Sequence, residues 1–161
     1  MSDRRIAAPP SEFDLAHRPG FLIRRLHQIH TALFIEECAR FNVTPVQYSV
    51  LTKAAEIPGL EQARLAHEVG VDRATLASVL TRLEERGLIR RTMARSDRRL
   101  KRVALTARGH TVLGQMAEAA SRAHERTVEA LPTAERAAFL RALARLVDAG
   151  NDFGRAPLRL R

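Results

Sequence analysis

The run LAHEVGVDRATLASVLTRLEERGLIRR, residues 65–91, decides the fold. Its opening closes a short helix over about 62–69, and Gly70 supplies the left-handed stop that helix ends favour. Asp72 stands where a side-chain oxygen caps the next helix, which runs to Gly87. Leu76, Leu80 and Leu83 recur at the 3-and-4 spacing of one buried face. Arg73, Thr75, Ser78 and Arg82 fall largely on the other. A short helix, a tight turn over 70–72, a second helix and then an extended run describe a helix-turn-helix leading into a wing.

The flanks extend this pattern. Residues 88–92 and 102–105 are short extended runs around 93–101, and together they predict a β-hairpin with a long, basic tip. Thr106 is placed to cap a long helix reaching about residue 130. Pro132 interrupts, and Thr133 is expected to cap a last helix to about 149, with Phe139, Leu143, Leu146 and Val147 as its apolar stripe. On the other side, Thr44, Pro45 and Gln47 form a capping box for a helix that stops before Pro58-Gly59, and Val43 and Tyr48 are spaced for a hydrophobic staple. A first helix is expected from about Pro19 to Phe41, apolar on two adjoining stripes. Such a helix has more than one surface to bury.

Charge narrows the function. The chain has 161 residues with a formal net charge of +9, and all its 27 basic residues except Lys53 and Lys101 are arginine. Residues 86–102 hold eight basic side chains against one acid, Asp97, and such a local cationic stripe is the footprint of phosphate contact. Six Phe, one Tyr and no Trp are too few rings for a single-strand stacking platform. One cysteine excludes an internal disulfide and a multi-cysteine zinc site. No apolar stretch approaches the ~20 residues of a membrane span. The first residues, MSDRRIAAPPSEFD, lack the apolar segment of a secretory signal, so a cytoplasmic protein is expected. No Gly-rich phosphate loop, nucleophile motif or catalytic carboxylate pair is evident, so neither an enzyme nor a cofactor is expected.

Three motifs carry a resemblance to a known family. They are L-A-x-x-x-G-V-D-R-x-T from Leu65 to Thr75, R-L-E-x-R-G-L-I-x-R from Arg82 to Arg91, and D-x-R at Asp97 and Arg99 followed by L-T-x-x-G at Leu105, Thr106 and Gly109. In this order and spacing the chain resembles the MarR family of bacterial transcription regulators over residues 43–109, with flanking helices continuing the likeness to about 150. The resemblance implies a mainly α fold with a small β-wing, a winged helix-turn-helix with N- and C-terminal dimerisation helices. Its divisions would be a flexible arm (1–18), a dimerisation helix (19–42), the DNA-binding lobe (43–105), C-terminal dimerisation helices (106–150) and a tail (151–161). It further implies a homodimer on double-stranded DNA bearing a palindromic operator.

Within that frame the second helix of the motif enters the major groove. Arg73, Ala74, Thr75, Ala77 and Ser78 are the candidates for base contact, with Arg82 nearer phosphate. Arg73 could bind the O6 and N7 acceptors of guanine, and Thr75 or an alanine methyl could touch a thymine methyl. Many relatives carry bulkier polar residues where Ala77 and Ser78 stand, so base readout here would rest on fewer hydrogen bonds. Arg95, Arg98 and Arg99 are candidates for the minor groove. By resemblance, Asp97 and Arg99 shape the wing, which leaves the groove contact to Arg95 or Arg98.

The first helix, HRPGFLIRRLHQIHTALFIEE, is similar to the subgroup that answers to small aromatic acids such as benzoate, hydroxycinnamate and hydroxynicotinate. The resemblance implies an effector cleft between the DNA lobe and the dimer helices, with Arg18 as carboxylate anchor and His17, His27, His30 and Tyr48 as polar partners. His27 and His30 also read as interface histidines; their spacing would suit a metal, but no third ligand is evident and none is expected. Cys38, beside Glu36 and Glu37, reads as a buried structural thiol rather than a redox sensor, because adjacent acids raise its pKa. A ligand-independent architectural DNA-binding protein is the alternative function.

Overall fold

The computed structural model describes residues 14–93 and 101–154. The wing-tip candidates Arg95, Asp97, Arg98 and Arg99 lie outside them. Six α-helices and three short strands follow in the order α1 (Pro19–Glu37), α2 (Pro45–Glu56), β1 (Leu60–Glu61), α3 (Gln62–Val69), α4 (Arg73–Glu85), β2 (Ile89–Met93), β3 (Lys101–Leu105), α5 (Ala107–Thr127) and α6 (Thr133–Ala149).

The local signals explain most boundaries. The Thr44–Gln47 capping box is reciprocal: the Gln47 amide donates to Thr44 Oγ1 at 3.3 Å and the Thr44 amide to Gln47 Oε1 at 3.0 Å. Gly70 ends α3 with φ of 68°, in the left-handed region where a Cβ is penalised. Asp72 caps α4, accepting from the Thr75 amide and hydroxyl, both at 2.8 Å. Thr106 caps α5 by accepting from the Gly109 amide at 3.0 Å.

Several expectations need correction. Helix α1 ends at Glu37, and Ala39–Phe41 forms a separate 3-10 turn closed by Asn42 in the left-handed conformation. Leu15–His17, placed in a flexible arm, is a 3-10 turn capped by Asp14, and Asn151–Phe153 of the expected tail is another. Thr133 does not cap α6; Pro132 holds the cap position and makes no side-chain bond there. The hairpin is also joined by a third strand. The antiparallel order is β1-β3-β2, with Leu60 opposite Val103 and Thr92 opposite Arg102.

One core spans the lobe and its supports. Leu51, Leu65, Leu76, Leu80, Leu83, Leu88, Ile89 and Val103 fill the helix-turn-helix, while Phe34, Met116, Ala120 and Ala123 carry the core into the α1–α5 layer. Arg122 and Arg126 of α5 lock this layer by donating to Glu37 at 2.9 and 2.7 Å. Those guanidiniums hold the Glu37 carboxyl below its ordinary pKa. In contrast, α6 buries no residue, and Leu140, Leu146 and Val147 are 56, 64 and 46% exposed. Leu22, Ile23 and Ile29 of α1 are exposed as well. In the single chain these apolar faces stand uncovered.

Candidate DNA interface and effector cleft

The outer face of α4 is built by its inner one. With Leu76, Leu80 and Leu83 buried, Arg73, Ala74, Thr75, Ser78 and Arg82 are turned to solvent. Ala77 is partly buried, so it contributes less of that face than expected. Thr75 spends its hydroxyl proton on Asp72, which leaves it no side-chain proton to donate elsewhere. The first turn of α4 therefore presents Arg73 as its one long hydrogen-bond donor. At the other end Glu84 accepts three hydrogen bonds from Arg91, from the amide at 2.9 Å, Nε at 2.8 Å and Nη2 at 2.5 Å, fixing β2 to α4. The Arg91 hydrogen bond is the main reason the Glu84 carboxyl stays below its ordinary pKa. Arg90, Lys101 and Arg102 are exposed along the base of the wing, where the net-positive stripe surfaces.

A cleft of about 330 Å³ opens between α1, α2, α3 and α5. Of the predicted polar partners, His30 and Tyr48 line it, and sequence reasoning missed His124, Thr52, Lys53 and Glu68. Phe34 and Tyr48 tilt across its apolar wall with ring centroids 5.4 Å apart. His30 and His124 stack at 5.1 Å with 17° between the rings. Thr127 Oγ1 donates to the Ala123 carbonyl at 2.7 Å and lies within hydrogen-bond distance, 2.9 Å, of His30 Nδ1. Burial, then repulsion from His124 and His27, holds His30 below its ordinary pKa. Thr52 Oγ1 is buried in the wall with no hydrogen-bond partner. Lys53 lies 2.6 Å from Glu56 and 3.9 Å from Glu68, so its charge is already shared by two carboxylates.

His17, Arg18 and His27 are not brought into this cleft by their own chain. His17 Nδ1 pairs with Asp14 at 2.6 Å. Arg18 precedes α1, and twelve residues of helical rise put it about 18 Å from the level of His30. Cys38 closes α1 with 1% exposure, and burial with Glu37 beside it raises its pKa, as expected. Among the described residues no three His, Cys, Asp or Glu side chains gather as a metal site, and no helix is long and apolar enough to cross a membrane.

A capped second helix with a polar outer face, fixed to a three-stranded sheet with a cationic edge, defines a winged helix-turn-helix DNA-binding protein. The profile of the MarR family matches residues 43–101. Over 142 residues the chain is 30% identical to the HTH-type transcriptional repressor NicR of Pseudomonas putida, covering 88% of this chain and 90% of NicR. The chain belongs to the MarR family. It is accordingly a transcription regulator that acts by binding DNA, and not an enzyme.

Solved relatives agree in shape. The chain is similar to Bordetella bronchiseptica BpsR, whose DNA binding is regulated by 6-hydroxynicotinic acid, with 28% identity, TM-score 0.80, and coverage of 87% of this chain and 99% of BpsR. It is also similar to the repressor CouR bound to a 23-mer DNA duplex, with 31% identity, TM-score 0.77, and coverage of 86% and 99%.

Proposed function

We propose that the protein is a homodimeric repressor that leaves a palindromic operator when a small aromatic carboxylate enters the cleft beside His30 and Tyr48. The observation that carries this reading is the position of the cleft. Its walls come from α2 and α3 of the DNA-binding lobe and from α1 and α5, the layer that supports it. A ligand seated there bears on both bodies at once. If it favours the spacing of recognition helices that does not fit DNA, it weakens DNA binding by the ratio of its affinities for the two states.

The exposed apolar faces of α1 and α6 support dimerisation, and a two-fold dimer matches half-sites about one helical turn apart. Arg73 is the proposed base reader, with Ala74, Thr75, Ala77 and Ser78 shaping the contact and Arg82 toward phosphate. Arg95, Arg98 and Arg99 are proposed for the wing. Arg18 and His17 would reach a cleft only from a second copy. The relatives' responses to aromatic acids support genes of aromatic-acid metabolism as targets, and a regulator of chromosomal genes works in the cytoplasm.

Mobility shift on the protein's own upstream DNA, titrated with a panel of aromatic acids, tests the reading. The expected result is one retarded complex that an acid dissolves at ~5–150-fold lower DNA affinity. Arg73→Ala should cost about 1–3 kcal/mol on the operator and relax preference at one base pair. Equal loss on operator and random DNA would reassign Arg73 to phosphate. Indifference to every acid in the panel would remove the effector from the proposal.

A further inference from the structure

A second cavity, of about 500 Å³, opens between the 3-10 turn Ala39–Phe41, the end of α4 and the first turns of α5. It shares no lining residue with the cleft. Arg108 in its wall stands about 24 Å along α5 from His124 in the cleft. It is also remote from the proposed base reader, since Arg86 lies about 20 Å along the recognition helix from Arg73.

The charge of this cavity is one-sided. Among the described residues its lining holds Arg40, Arg86 and Arg108 and no acid. The acids at the end of α1, Glu36 and Glu37, are taken by Arg122 and Arg126. Arg40 rests its guanidinium on the Phe41 ring, 4.5 Å from the centroid, which leaves its N–H groups unspent. Arg108 makes no side-chain hydrogen bond or ion pair among the described residues. Arg86 spends two of its five N–H groups on the Asn42 and Phe41 carbonyls, so three remain.

Arginines that only hold a fold together bring their acids with them. Here like charges share a cavity and repel, and a cation in the first turn of a helix opposes its dipole. The first turn of α5 carries Arg108 and no acid. An anion seated in the cavity relieves both costs. Three guanidiniums ask for more than the single charge of a carboxylate. A phosphoryl group offers about two charges and three acceptor oxygens, and a planar guanidinium meets it with two parallel bonds. The cavity is larger than one phosphate and has the size of a small-molecule site, and Leu88 and Val112 give it an apolar floor.

We propose that this cavity is a ligand site distinct from the cleft, which takes a small phosphorylated metabolite whose phosphoryl group joins Arg40, Arg86 and Arg108. The bound anion clamps the end of the recognition helix to α5 and to the joint after α1. This site stands whether or not an aromatic acid enters the cleft.

The test uses the full-length protein with inorganic pyrophosphate as probe, at an ionic strength held constant with NaCl. Calorimetry should show saturable binding of about one pyrophosphate per chain, with Kd below about 1 mM. Arg40→Gln with Arg108→Gln should weaken it at least ~10-fold. Arg141→Gln with Arg145→Gln removes the same charge from exposed positions on α6 and should change it less than ~2-fold. Absence of saturable binding, or equal weakening by both pairs, overturns the site. Without pyrophosphate, the Arg40→Gln, Arg108→Gln protein should unfold at or above the wild-type temperature, because repulsion is relieved. A lower Tm would assign the two arginines to the fold and overturn the site as well. Mobility shifts at several salt concentrations separate a small ligand from DNA. The slope of log K against log salt should be the same in wild type and this double variant. A slope reduced by about two, at ~0.9 per lost phosphate contact, would hand the arginines to the DNA backbone and overturn the small-ligand site.

Discussion

Arg86, which closes the recognition helix, donates its two terminal nitrogens to the Asn42 and Phe41 carbonyls at 2.6 and 2.7 Å. The heel of α4 is thus tied to the joint that follows α1. Any shift of α1 relative to the lobe pulls on this tie. Arg86→Ala should cost about 2 kcal/mol in stability, measured by urea unfolding, since hydrogen bonds from a charged donor are lost. It should also blunt DNA release by an effector while leaving effector binding near wild type. Undiminished release would show that the tie only supports the fold.

Gly109 tests the support of the wing from the other side. A Cβ there would overlap the Leu88 carbonyl oxygen, a backbone atom with no rotamer to retreat into. That oxygen also accepts from the Thr106 amide at 3.1 Å. Gly109→Ala is expected to destabilise by ~3 kcal/mol. Gly114→Ala, on the same helix with no neighbour within 4 Å, should instead stabilise by about 0.5–1 kcal/mol. Thermal unfolding of the two variants should move in opposite directions.

The unpartnered hydroxyl of Thr52 makes a third prediction. Thr52→Val removes a buried donor and acceptor without changing shape, so the effector-free protein should gain about 1 kcal/mol, or ~2–4 °C in Tm. A drop in Tm would mean the hydroxyl has a partner in solution.

The apolar faces of α1 and α6 set the fourth. Leu140→Glu with Leu146→Glu places two charges on the uncovered stripe of α6. Sedimentation should report a monomer with retained helicity, and operator affinity should collapse because each half-site is then bound alone. A dimer that survives both charges would exclude α6 from the interface.

Legibility in the sequence followed the range of the interactions. Thr44, Asp72 and Thr106 announce their helices because a cap acts within three residues. The family motifs prove to be joints of the fold: Gly70 and Asp72 set the turn, Glu84 and Arg91 fix the wing, and Gly109 lets α5 approach Leu88. Strand β1 escaped notice because two residues show no alternation, and its pairing with β3 spans about forty positions. The cleft was half legible. His30 and Tyr48 stood near one another along the chain, whereas His124 reaches them only through the packing of α5 on α1. Tyr48, Thr52 and the neighbouring Ser49, Lys53 do form an i,i+4 polar strip on α2 that could have been read. Arg18 does not line the cleft of its own protomer, and the likeness to relatives that suggested it carries no distances.

Strand β3 lies in the middle of its sheet, held by β2 on one edge and by Leu60–Glu61 on the other. Gly59 adds a further bond, its amide donating to the Val103 carbonyl at 3.0 Å. The stem of the hairpin is thus clamped on both sides before the chain reaches its tip. A segment of other length exchanged between Met93 and Lys101 should therefore leave the strand register unchanged. The stem is thus a socket whose register is set below the tip, by Leu60–Glu61 and Gly59 as much as by β2.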